Sequence, residues 1–204
     1  MNPAYHSIIV SLVTGLFFFA VIALALCAVL RLRGEADRPV VTYADRAALG
    51  AASIAVALTV VGIVSGFLIW PLEAALRSPL IKSKILAAFL IVAFWGMYLY
   101  VRISRGPDLW RSAVMGVYVT LLGLTGFGFN LITNSIGGDA AGNPSGFENL
   151  VRLFGVETRF TFYLPTWLNL AIIVGGVLAL VVAYVGRQPG AAIPTADERS
   201  AADR

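Results

Sequence analysis

Very few side chains in this sequence could do chemistry, and most of them lie close to the ends of apolar stretches. There is one histidine, His6, and one cysteine, Cys27. A haem held by two histidines within the chain is therefore excluded. A His/Met pair would need Met97 or Met115, and Met97 lies 13 residues beyond Lys84, about 20 Å along a helix from the end where His6 sits. A lone cysteine makes neither an internal disulfide nor a thiolate metal cluster, and the histidine and carboxylate spacings match no metal-binding pattern. Cys27 reads as a small buried apolar side chain. No metal and no cofactor are expected. A catalytic base would have to come from the connections, because the apolar stretches hold no titratable group near their centres, and the expected protein is not an enzyme.

What remains is a gathering of neutral polar groups: Asn130, Thr133 and Asn134 near the end of one apolar stretch, Asn169 at the start of another, and His6 at the same level. Amides in lipid need partners, so these residues should face other helices and not the acyl chains. Two uses fit them. They either bond helix to helix, or they line an outward-facing pocket for a small solute or a lipid headgroup.

The elements that must position these groups are legible from charge. Of 204 residues, 59% are hydrophobic and 13% charged, against about 25% charged in a soluble domain, and the mean hydropathy is +0.85. The charges avoid Ser7–Leu30, Ala47–Leu72, Ile85–Val101, Ser112–Gly138 and Phe160–Gly186. Each stretch reaches the length of about 17–25 residues that a bilayer crossing requires. The expected fold is all-α, a polytopic integral membrane bundle of five helices near 7–31, 43–71, 79–102, 109–136 and 166–186, with a disordered cytoplasmic tail at 187–204. Such a composition excludes a soluble enzyme, a nucleic-acid binder and a disulfide scaffold.

The net charge of +4 reads as topology. With the N-terminus outside, the inner segments hold Arg31, Arg33, Arg38, Arg46, Arg102, Arg105, Arg111, Arg187, Arg199 and Arg204. The outer ones hold Arg77, Lys82, Lys84, Arg152 and Arg159, a split of 10 against 5. The C-terminus is then inside. The first stretch is not expected to be a cleaved signal, because no Lys or Arg precedes it and its apolar run is too long.

Punctuation refines the helix ends. Thr42 with Asp45 resembles a capping box for the second helix, Ser78-Pro79 opens the third, Gly106-Pro107 ends it, and Asp108 is placed to cap the fourth. Trp70, Trp110 and Trp167 suit the membrane interfaces. Ser145-Gly146-Phe147-Glu148 is a second capping box. Phe147, Leu150, Val151 and Phe154 follow it at helical spacing and Gly155 closes it, which predicts a short interfacial helix over 145–155 that seals the bundle, covers an outer cavity or offers a docking face to a partner. Gly62 and Gly66, and Gly116 with Ser112 and Thr120, should let helices approach closely.

The opening Asn2-Pro3-Ala4-Tyr5-His6, the run Ser65-Gly66-Phe67-Leu68-Ile69-Trp70, Arg102, Thr125-Gly126 and Gly137-Gly138 resemble a bacterial membrane family of unknown function. Its four-helix members open with His-Pro…His-Phe-Pro and carry Gly-Gly near the end of the fourth helix. Asn2 stands here at that family's first histidine. The resemblance spans about 2–138 and implies a four-helix membrane topology with the fifth helix as an addition. Taken together, the residues lead us to expect a non-catalytic subunit or accessory protein of a larger membrane complex, of respiratory or other energy-coupling type, in a bacterial inner membrane. Its partners would be the lipid bilayer and other membrane subunits, with no nucleic acid. The competing expectations are the solute or headgroup pocket and a haem electron carrier that borrows a ligand from a partner.

Overall fold

A computed structural model describes residues 3–69, 73, 77–140, 142, 146–155 and 174. The elements below belong to the unit Met1–Asn169. They are α1 (Pro3–Leu32), α2 (Pro39–Ile69), α3 (Pro79–Arg105), a 3-10 segment (Gly106–Arg111), α4 (Ala113–Ala140) and a short α5 (Gly146–Arg152), with no strand among the described residues. Four helices are long and apolar enough to cross a membrane: Ala4–Leu32, Pro39–Ile69, Pro79–Arg111 and Ala113–Ala140. The fifth expected helix, 166–186, apart from residue 174, and the tail, 187–204, lie outside the described residues.

Proline and glycine set the helix ends. Pro3, Pro39 and Pro79 each open a helix, where the missing N–H costs no hydrogen bond and φ is already helical. This is why α1 and α2 begin four residues before the starts expected from their apolar stretches. It also moves Thr42 and Asp45 inside α2, so the expected capping box does not mark its start. At the end of α1, Gly34 takes φ 78°. Its amide donates to the Arg31 carbonyl at 3.0 Å and the Glu35 amide to the Leu30 carbonyl at 2.9 Å, a Schellman closure.

Ser78 caps α3 as expected, accepting from the Ile81 amide, and Gly106 at φ 62° ends it. For α4 the cap is Ser112, whose hydroxyl accepts from the Met115 amide at 3.3 Å. Asp108, expected in that role, lies in the 3-10 segment and pairs with Arg111 at 3.3 Å. α4 continues to Ala140 and so takes in Asp139.

α1 packs against α2 and α4, and α3 packs against the same two, which closes a four-helix ring. Most buried positions of α1 and α2 recur at spacings of three and four, one face of each helix. They are Val13, Phe17, Ala20, Leu24 and Cys27 on α1, and Val41, Asp45, Ala48, Ala52, Ala55, Thr59 and Gly62 on α2. The alanine face of α2 admits α1 closely. The large residues Phe17, Trp95 and Tyr98 fill the centre, with Phe17 stacked on Trp95 at 4.6 Å and Tyr98 edge-on to Trp95 at 5.6 Å.

The expected helix over 145–155 is present as Gly146–Arg152, closed by Gly155 at φ 74°. On its apolar side Leu150 is 55% and Phe154 79% exposed. Ser145 of its capping box lies outside the described residues.

Candidate functional site

The neutral polar cluster assembles around a hydroxyl that sequence reasoning missed. Thr14 of α1 donates to the Val10 carbonyl at 2.9 Å. It then accepts from the side-chain amides of Asn130, at 3.1 Å, and Asn134, at 2.7 Å. One proton and two lone pairs are thereby all used. Asn130 is buried, and Asn134, one helical turn on, is half-buried. Thr133 donates to the Phe129 carbonyl of its own helix at 2.8 Å and does not join the cluster. Asn169 lies outside the described residues. The signal for Thr14 was its type alone, and α1 shares that type with Ser7 and Ser11.

His6 stands in the first turns of α1 and bonds to α2, its Nδ1 lying 2.9 Å from the Ser65 hydroxyl. Ser65 gives its own proton to the Gly62 carbonyl at 2.9 Å. With the Ser65 proton on the Gly62 carbonyl, the imidazole donates from Nδ1 and keeps its lone pair on Nε2. Gly62 and Gly66 face this contact. A Cβ at Gly62 would lie 3.7 Å from Ile9, and one at Gly66 3.6 Å from the His6 ring. The expected close approach in α2 is therefore made to α1, within the chain. Gly116 instead accommodates the Trp110 ring, 3.1 Å from where its Cβ would be.

At the other end of the bundle the structure forms a charged site that spacing had not revealed. Asp45 of α2 is 1% exposed and Arg102 of α3 is 7% exposed. The Arg102 Nε donates to both carboxylate oxygens, at 2.8 and 2.9 Å, and its Nη2 donates to Oδ2 as well. The Trp110 indole N–H adds a bond to Oδ1 at 2.8 Å. Trp110 is thus buried against the ion pair, and its expected role at the membrane interface is not what it does. A buried carboxylate and guanidinium offset their desolvation only with such complete geometry. The sequence carries part of this signal, because Asp45 continues the 41-45-48-52 stripe of α2 and Arg102 the 91-95-98-102 stripe of α3, but not which stripes face each other. Both had been assigned to helix ends, one as a cap and one as a topology charge. Cys27 lies nearby, fully buried, with its thiol 3.5 Å from the Val41 carbonyl.

The Met97 sulfur accepts from the Tyr118 hydroxyl at 3.3 Å. Among the described residues no group of three His, Cys, Asp or Glu could hold a metal ion. The arrangement ties helices together through polar contacts at both ends of the bundle, and its four long apolar helices are those of a multi-pass membrane protein. No family model, curated protein or solved structure matches this chain.

Proposed function

We propose that the chain is a non-catalytic integral subunit or accessory protein of a larger membrane complex, of respiratory or other energy-coupling type, in a bacterial inner membrane. In this reading it crosses the bilayer five times, with the N-terminus outside and the C-terminus inside. The observation that carries the proposal is how the interior polar groups are used. Asp45 is bonded to Arg102 and Trp110, Asn130 and Asn134 to Thr14, and His6 to Ser65. Each bond joins parts of the bundle, which suits a scaffold more than a reacting centre. The orientation rests on the ten positive charges of the inner segments against five outside.

The test is gentle extraction of the tagged, full-length protein from its native membrane, followed by native mass spectrometry. The expected result is a complex containing at least one other membrane subunit at fixed stoichiometry. A lone chain, recovered under conditions that preserve known complexes of the same membrane, would contradict the proposal.

A further inference from the structure

Between α3 and α4 runs a shallow groove of about 60 Å³, lined by Ser83, Leu86, Leu90, Phe129, Ile132 and Ile136. It is far smaller than the ~300–1,000 Å³ typical of a small-molecule site. Its walls are apolar apart from Ser83, whose hydroxyl is buried and without a hydrogen-bond partner although the residue is only 4% exposed. Charge gathers at the same end. Lys84 follows Ser83, about 8 Å into α3 from Pro79. Its Nζ lies over α4, 2.8 Å from where a Cβ on Gly137 would stand, so the glycine next to Ile136 makes room for the ammonium. Asp139 continues the 129-132-136 stripe of α4 at helical spacing, and its Oδ2 is also buried without a partner. An unpartnered hydroxyl thus stands in the groove wall, and a cation and an unpartnered carboxylate oxygen lie beyond its lining on the same two helices, toward the start of α3 and the end of α4.

We propose that this groove holds a phospholipid with a primary-amine headgroup: an acyl chain along the α3–α4 walls, the phosphate met by Lys84 and Ser83, and the ammonium donating to Asp139. A glycerol headgroup brings the same phosphate but no ammonium to offset the negative charge of Asp139. A choline headgroup has no N–H to give the carboxylate. The inference rests on reading α1–α4 as membrane spans and is independent of whether the chain belongs to a complex.

The full-length protein is reconstituted in nanodiscs containing equal amounts of phosphatidylethanolamine, phosphatidylcholine and phosphatidylglycerol with matched acyl chains. Lipids retained through partial delipidation are then counted by native mass spectrometry. The wild type is expected to retain the ethanolamine lipid about tenfold over the choline lipid, the worth of one charge-assisted hydrogen bond. Asp139→Asn should abolish that preference, and Lys84→Met should lower retention of all three lipids. Ile132→Trp, which fills the groove without changing charge, should do the same, and it supplies the answer if Asp139→Asn does not fold by circular dichroism. Equal retention of the three lipids by the wild type would overturn the inference. Preference for the glycerol lipid, or an ethanolamine preference that survives both Lys84→Met and Ile132→Trp, would overturn it too. Because co-purification of partners is read separately, failure here leaves the subunit proposal standing.

Discussion

Removal of one member of the Asp45–Arg102 pair strands the other as a buried charge. Asp45→Leu or Arg102→Met alone should each destabilise the protein by about 3–5 kcal/mol, whereas the double substitution should recover most of that loss. Unfolding in mixed micelles measures all three. Additive losses would show that the two side chains do not act as a unit. Trp110→Phe removes only the indole N–H and should cost less, about 1.5–3 kcal/mol, the value of a hydrogen bond to a charged group. Thr14 serves two amides at once, so Thr14→Val should cost roughly 1 kcal/mol in the same assay, with two membrane hydrogen bonds at about 0.6 kcal/mol each. A loss no larger than that of Asn134→Ala alone would mean that Asn130 finds another acceptor.

Helix packing depends on which glycines face bulky neighbours. A Cβ at Gly126 would stand 2.7 Å from the Trp95 indole, and one at Gly123 2.8 Å from Leu24. The fully buried Trp95, held between Phe17 and Tyr98, has little room to retreat. Gly126→Ala should therefore lower stability by about 1–3 kcal/mol, and Trp95→Phe should relieve part of it. Gly66→Ala meets only ordinary van der Waals distance at the His6 ring and should be tolerated. Thermal unfolding of the three variants distinguishes these outcomes; equal costs at Gly126 and Gly66 would contradict the packing described.

This contrast also shows what the sequence could and could not disclose. Uncharged stretches marked α1–α4 because lipid excludes charge over a fixed length, and Ser78-Pro79 and Gly106 marked α3 because those residues have narrow backbone roles. Gly62 and Gly66 stood out as a spaced pair, yet the tighter contacts belong to Gly123 and Gly126, whose partner Trp95 lies on another helix. The same holds at the site. Asn130 and Asn134 were visible as amides in an apolar context, but Thr14 and the pairing of Asp45 with Arg102 depend on which stripes face each other. That register is set by packing across helices and has no local signal. The starts of α1 and α2 were misplaced because charge was weighed above the prolines that open them.

At the scale of the whole molecule, the short connection between α1 and α2 forces those helices to run antiparallel, and the ring of neighbours places Asp45 and Arg102 at one end and His6 and Lys84 at the other. Under the proposed topology, the 33–38 and 106–111 connections lie on one side of the membrane and residues near 77 and 146 on the opposite side. The central claim, that α1–α4 cross a bilayer in alternating directions, is tested most directly by single cysteines placed at exposed positions in a Cys27→Ala background. Intact cells and inverted vesicles carrying Asp37→Cys, Arg77→Cys, Asp108→Cys or Gly146→Cys would be treated with a membrane-impermeant thiol reagent. The account predicts labelling at 77 and 146 in cells only and at 37 and 108 in inverted vesicles only; labelling of 37 and 77 from the same side would contradict it.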